Sequence, residues 1–170
     1  MHSSAKMTDQ RKTFETIYLE HRGMVYQICM GFVKGDSAVA RDLSQDIFIN
    51  IWNAMPLFKG GSSYKTWIYR ITVNTCLQHL RKEKKAPRVS ISDGMVAHIE
   101  TNIDPENELH TKLFDAIGSL PEVERLIIMM VLDDLEYEEI ARIIGIEETN
   151  LRVKIHRIKK KIKEILSYER

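Results

Sequence analysis

Apolar residues recur at three- and four-residue steps along most of the chain, and no stretch of useful length alternates in the two-residue period of a strand. The spacing predicts a first helix from about Thr13 to Val33, ending before Gly35. A second starts at Asp36 and Ser37, which favour the N-cap position, and stops at Pro56. Phe58-Lys59-Gly60-Gly61-Ser62 reads as a loop, and Ser62 or Ser63 can cap a third long helix ending near Lys85, ahead of Pro87. From Ala86 to about Glu106 the periodicity lapses and Pro87, Gly94 and Pro105 appear, the signature of a linker. Fully extended, its ~20 residues would reach about 65 Å. Helical spacing resumes between Asn107 and Gly118. Ser119-Leu120-Pro121-Glu122 then has the form of a capping box that would launch a helix from Leu120 to Leu132. Two further segments follow, from Glu136 to Ile144 and from about Glu148 to Leu166. The expected fold is all-α: two small helical domains joined by a flexible linker. A tail over 1–12 precedes a domain over 13–86, the linker covers 87–106, and the second domain covers 107–170.

Composition adds boundaries to this picture. Of 170 residues, 44% are hydrophobic and 29% charged, as in ordinary globular proteins. The longest apolar run, Leu126 to Leu132, falls far short of the roughly 20 residues needed to span a bilayer. The first residues lack the apolar core of a secretory signal. Cys29 and Cys76 sit inside apolar helical patterns without framework spacing, which suits reduced thiols and a cytoplasmic protein with no membrane insertion of its own.

Charge changes the picture more. The net value is only +1, but residues 59–88 hold eight Lys/Arg against one acid, residues 90–148 three against fifteen, and residues 149–170 eight against two. Cationic blocks of this kind are the usual footprint of phosphate binding. The acidic middle leaves three readings open: a solvated surface, a segment that folds back on the basic faces, or one that helps a regulatory protein hold the two domains together.

The last block lies on a helix-turn-helix pattern. In Tyr137-Glu138-Glu139-Ile140-Ala141-Arg142-Ile143-Ile144-Gly145-Ile146, Ala141 is small where two helices must cross, and Gly145 stands where the chain must turn. In the following helix Leu151, Ile155, Ile158, Ile162 and Ile165 share one stripe. Thr149, Asn150, Val153, His156, Arg157 and Lys160 share the opposite face, flanked by Arg152, Lys154, Lys159 and Lys161. An apolar anchor with a cationic polar face outward suits a helix entering a major groove, Arg and Asn on base edges and Lys on phosphates.

In the first half, Leu43, Ile47, Phe48, Ile51 and Trp52 form a helical face, while Asp42, Gln45, Asp46 and Ile49 lie mostly elsewhere. An exposed Ile beside acids suggests a surface for a protein partner. The third helix interleaves Tyr64, Trp67 and Tyr69 with Lys65 and Arg70 and ends in Arg81-Lys82-Glu83-Lys84-Lys85. Such interleaving suits a single strand, whose bases stack on rings while cations hold its phosphates. Trp67 is expected in the core, leaving Asn74 and the preceding loop as the better base readers. A catalytic role finds no support: there is no Gly-rich phosphate loop, nucleophile elbow or metal signature, and Cys76 with His79 makes at most half a zinc site. No catalytic residue, metal or cofactor is expected.

Four stretches now resemble the sigma factor family of RNA polymerase, specifically its compact extracytoplasmic-function (ECF) group: Asp42-x-x-Gln45-Asp46-x-Phe48-x-x-x-Trp52; Phe58-x-Gly60 with Thr66-Trp67-Ile68-Tyr69-Arg70-Ile71-x-x-Asn74; Ser119-Leu120-Pro121; and Tyr137-Glu138-Glu139-Ile140-Ala141 continued to Lys154-Ile155-His156-Arg157. Their order and spacing make the resemblance specific. It implies that Asp42, Gln45, Asp46 and Ile49 dock on core RNA polymerase. It implies that Lys59, Ser62, Ser63, Lys65, Arg70, Asn74, Arg81 and Lys82 hold the melted minus-ten element of promoter DNA. It implies that Thr149, Asn150, Arg152, Val153, Lys154, His156, Arg157 and Lys160 read the duplex minus-thirty-five element. A regulatory anti-sigma protein is an expected further partner. The chain departs from its relatives at Asn50, where a Lys is found in some, at Gln78, where an Asp is frequent, and at Thr149-Asn150-Leu151, which opens the reading helix.

Overall fold

A computed structural model describes residues 2–85 and 105–168. These residues form seven helices and no strand: α1 (His2–Phe32), α2 (Ser37–Ala54), α3 (Tyr64–Lys85), α4 (Pro105–Gly118), α5 (Glu122–Leu132), α6 (Tyr137–Ile144) and α7 (Glu148–Tyr168), with a 3₁₀ turn at Met55–Leu57. The expected linker lies outside the described residues up to position 104.

Most helix ends follow from local chemistry. The Asp36 carboxylate accepts from the backbone N–H groups of Ala38 and Val39, each at 3.1 Å, and so caps α2. Ser63 Oγ accepts from the N–H of Thr66 at 3.1 Å and caps α3. After α1, Lys34 and Gly35 both take positive φ, 57° and 84°, and the Gly35 N–H closes on the Met30 carbonyl at 2.9 Å. After α5, Asp134 takes φ 56° and the Leu135 N–H closes on the Met130 carbonyl at 3.1 Å.

Two expectations are corrected. The stretch 2–12, expected as a tail, belongs to α1, which begins at His2 rather than Thr13. Ala5, Lys6, Met7, Gln10, Arg11 and Lys12 are good helix formers, but they carry no apolar stripe for periodicity to detect. Gln10 Nε2 donates to the Trp52 carbonyl at 3.3 Å and ties this extension to α2. The capping box also does not form. Ser119 Oγ donates back to the Ala116 carbonyl at 2.7 Å and closes α4, while α5 starts after Pro121 without a side-chain cap. The Glu122 carboxyl instead bonds its own backbone N–H, which holds it below its ordinary pKa.

α1, α2 and α3 pack together around Val25, Ile28, Leu43, Ile47, Ile51, Ile68, Tyr69 and Val73, all buried. α4, α5 and α6 cradle α7 around Ile117, Leu126, Ile127, Ile140, Leu151 and Ile155. The two sets share one continuous core, because α5 lies against α1 and α6 against α3. Gly31 makes the first contact possible: a Cβ there would stand 2.6 Å from Met129 Sδ. Beside it Arg125, only 5% exposed, donates to the Leu120 carbonyl at 2.7 Å and lies 5.8 Å from the Phe32 ring centre. Its Nε has no partner among the described residues, and burial lowers its pKa. Cys29 and Cys76 are buried free thiols, and the hydrogen bond to Cys29, with burial, pushes the Cys76 thiol up.

Replacing Asp36 with Ala removes the acceptor for two N–H groups at the start of α2. The expected cost is about 1 kcal/mol, read as a lower urea midpoint at unchanged slope.

Candidate nucleic-acid interface

α7 is held by one face. Leu151, Ile155, Ile158 and Ile162 are buried, and Ala141 on α6 is 4% exposed where the two helices meet. Gly145 closes α6 in the left-handed conformation, φ 80°, its N–H on the Ala141 carbonyl at 2.8 Å, and turns the chain toward α7. The face opposite the anchor is free of contacts with the core. Thr149, Asn150, Arg152, Val153, Lys154, His156, Arg157 and Lys160 are all exposed, as expected. Arg152 is oriented by Glu148, which accepts from its Nε at 2.9 Å, and its guanidinium lies 5.2 Å from the Tyr137 ring centre. Lys160 Nζ lies 4.0 Å from Glu164, and Lys159 donates to the Tyr137 hydroxyl at 3.3 Å. The other cations of this face need not break an ion pair to meet phosphate.

The second cationic surface lies on α3. Arg70, Asn74 and Arg81 are exposed and fall on one stripe at 3.6 residues per turn, with Lys82 at its margin. Lys59 is exposed in the loop before the helix; Ser62 is half-buried, and Ser63 is occupied as the cap. Lys65 is not brought to this stripe. It points to the other side of α3, where its ammonium meets the Asp133 carboxylate at 2.9 Å and the Asp133 carbonyl at 3.2 Å. The same carboxylate accepts from the Tyr69 hydroxyl, and Thr66 Oγ1 donates to Glu139 at 2.7 Å. Burial and the bond to Asp133 raise the Tyr69 pKa well above its ordinary range, while burial lowers that of His21 nearby.

Trp67 corrects a further expectation. It is half-buried, not core, and sits with Phe58 and Tyr64 in a triad of rings with centres 4.6 to 6.3 Å apart. Tyr69 takes the core position instead, fully buried. Sequence reasoning missed the triad because Phe58 belongs to the loop, and only its fold back onto the first turn of α3 joins it to the other two. A cluster of rings beside cations can stack unpaired bases. Asn50 is exposed and donates to Thr75 Oγ1 at 3.0 Å.

On α2, Asp42, Gln45, Asp46 and Ile49 are exposed, Ile49 by 51%. Of these, Gln45 lines a groove of about 650 Å³ between α1 and α2, together with Tyr18, Arg22, Tyr26, Arg41 and Phe48. Its α1 wall was not legible from either helix alone. Among the described residues no cluster of His, Cys, Asp and Glu could hold a metal, and no helix is long and apolar enough to cross a membrane.

The chain matches two families: sigma-70 region 2 over residues 17–86 and sigma-70 region 4 over residues 110–162. It is 31% identical to the ECF RNA polymerase sigma-E factor of Escherichia coli K12, with 94% of each chain covered. It is 27% identical to that of Haemophilus influenzae, covering 89% of this chain and 86% of the other. Among solved structures it resembles the sigma factor RpoE in complex with the anti-sigma factor NepR from Bartonella quintana, with a TM-score of 0.71, 20% identity, and 94% and 99% of the two chains covered. It also resembles CnrH in complex with the cytosolic domain of CnrY, with a TM-score of 0.68, 18% identity, and 94% and 91% covered. These last two likenesses are of fold.

Two substitutions probe the two surfaces. Tyr64→Ala removes an exposed ring of the triad and should weaken binding of a labelled single strand by about 1 kcal/mol or more, read by fluorescence anisotropy. Arg157→Ala should weaken duplex binding and flatten its log-affinity against log-salt slope by about one.

Proposed function

Since the chain belongs to the sigma-70 family, in its ECF group, and is therefore a promoter-specificity factor of RNA polymerase rather than an enzyme, we propose a division of that work among its surfaces. α2 docks on core polymerase through Asp42, Gln45, Asp46 and Ile49, and the groove between α1 and α2 extends the contact through Arg22 and Arg41. The loop before α3 and the stripe Arg70, Asn74 and Arg81 hold the melted minus-ten strand, with bases stacked on Phe58, Tyr64 and Trp67. α7 lies in the major groove of the minus-thirty-five element. It works in the cytoplasm, with the polymerase, under the control of an anti-sigma protein, the kind of partner with which the structural neighbour RpoE was solved.

The observation that carries this reading is the pair of one-sided helices. α3 and α7 each bury a single apolar stripe and leave a cationic face bare. Neither face alone needs to bind tightly. Polymerase holds both, so that engaging one promoter element raises the effective concentration of the other. Melting follows from trapping unstacked bases, with no chemistry on the chain itself.

The deciding experiment is run-off transcription with purified core polymerase on a promoter selected from genomic fragments. The wild-type chain should direct discrete transcripts. Asp46→Lys should abolish them and the capture of core polymerase, while leaving duplex binding by α7 intact. Asn74→Ala should retain polymerase binding and lose open-complex formation, read by permanganate reactivity of unpaired thymines.

A further inference from the structure

The contacts between the two halves converge on two acids. Asp133 ends α5, and the left-handed Asp134 behind it, φ 56°, turns the chain away. The Asp133 carboxylate accepts from the Tyr69 hydroxyl and pairs with Lys65 at 2.9 Å, and its carbonyl takes a second bond from Lys65 at 3.2 Å. In the first turn of α6, Glu139 accepts from Thr66 Oγ1 at 2.7 Å. These bonds join residues 64 to 73 positions apart, across the whole linker. Tyr69 is fully buried in the first domain, yet its hydroxyl finds its acceptor in the second. A buried hydroxyl needs such an acceptor, and a charged one binds it more strongly than a neutral one.

The closed arrangement cannot read a promoter. α3 packs on α6 and α6 on α7. Packed helices lie about 8–10 Å apart, which puts the two reading helices roughly 20 Å from one another. Elements centred at minus ten and minus thirty-five are ~25 base pairs apart, about 85 Å along straight DNA at about 3.4 Å per pair. Closure also occupies Lys65, a cation that the family resemblance alone assigned to the melted strand.

We propose that Asp133 and Glu139 form a latch that holds the free chain in a closed resting form, and that core polymerase must release it to bring the chain into use. The latch itself rests on side-chain geometry; its consequence rests on the promoter reading above. The seam beside it suits release. Arg125 is buried with its Nε unpartnered among the described residues, and the Gly31–Met129 contact is the approach of one flexible side chain to bare backbone.

The test compares the full-length chain with two variants. Asp133→Ala with Glu139→Ala removes both acceptors. Gly31→Leu leaves them in place and wedges the seam, at a position where a helix gains from losing glycine. Asp9→Asn with Asp115→Asn, exposed acids outside the latch and the sites assigned above, matches the change of charge. Small-angle scattering should show a closed wild type and control, and an increased radius of gyration in both variants. Affinity for core polymerase, by anisotropy, should rise about tenfold in the variants, as for an open form that makes up roughly a tenth of the wild-type ensemble. An extended wild type, or a double variant that stays closed, overturns the latch. Variants that open yet bind polymerase no tighter overturn its role as a resting form. If the wild type directs no transcript with core polymerase, the promoter reading fails, and scattering alone then judges the latch.

Discussion

The apolar stripe of Leu151, Ile155, Ile158 and Ile162 beneath α7, and its counterpart of Ile68, Tyr69, Val73 and Cys76 beneath α3, set the terms for everything else in the molecule. A helix that must enter DNA needs one face rigidly held and the rest of its circumference clear. Each stripe supplies that condition with buried aliphatic and aromatic area, and the intervening positions can then be filled with cations at no cost to packing. The exposed cationic faces are a by-product of how the two helices are anchored, and their positions are fixed by the buried residues beneath them.

This is also why so much could be read from the chain before its coordinates. Anchoring stripes, the Asp36 and Ser63 caps and the Gly145 turn are local signals, and the helices appear where those signals place them. The polar start of α1 carried no stripe and was missed. The capping box failed because Ser119 found a nearer acceptor in the helix behind it. For the candidate site, faces confined to one helix were legible: all eight positions expected on α7 are exposed, as are the four on α2. Features built by two segments were not. Phe58 meets Tyr64 and Trp67 only once the loop folds back, and the orientation of Lys65 was decided by an acid far along the chain.

The same uneven charge serves two purposes. The acidic stretch between the cationic blocks supplies Asp133 and Glu139, and the first cationic block supplies Lys65. A cation of the first basic block therefore meets an acid of the middle stretch, and a net charge of only +1 is the sum of blocks of opposite sign. A solvated acidic surface and a folded-back one were both compatible with the sequence. In the structure Asp133 and Glu139 lie against α3.

The place where α1 meets α5 has its own mechanical meaning. Gly31 offers no side chain, and Met129 lies over the bare backbone with an unbranched, polarisable thioether. Branched side chains interlocked there would fix one docking angle. A thioether has no branch to interlock with its neighbour, so this contact constrains the angle between α1 and α5 less than such a pair would.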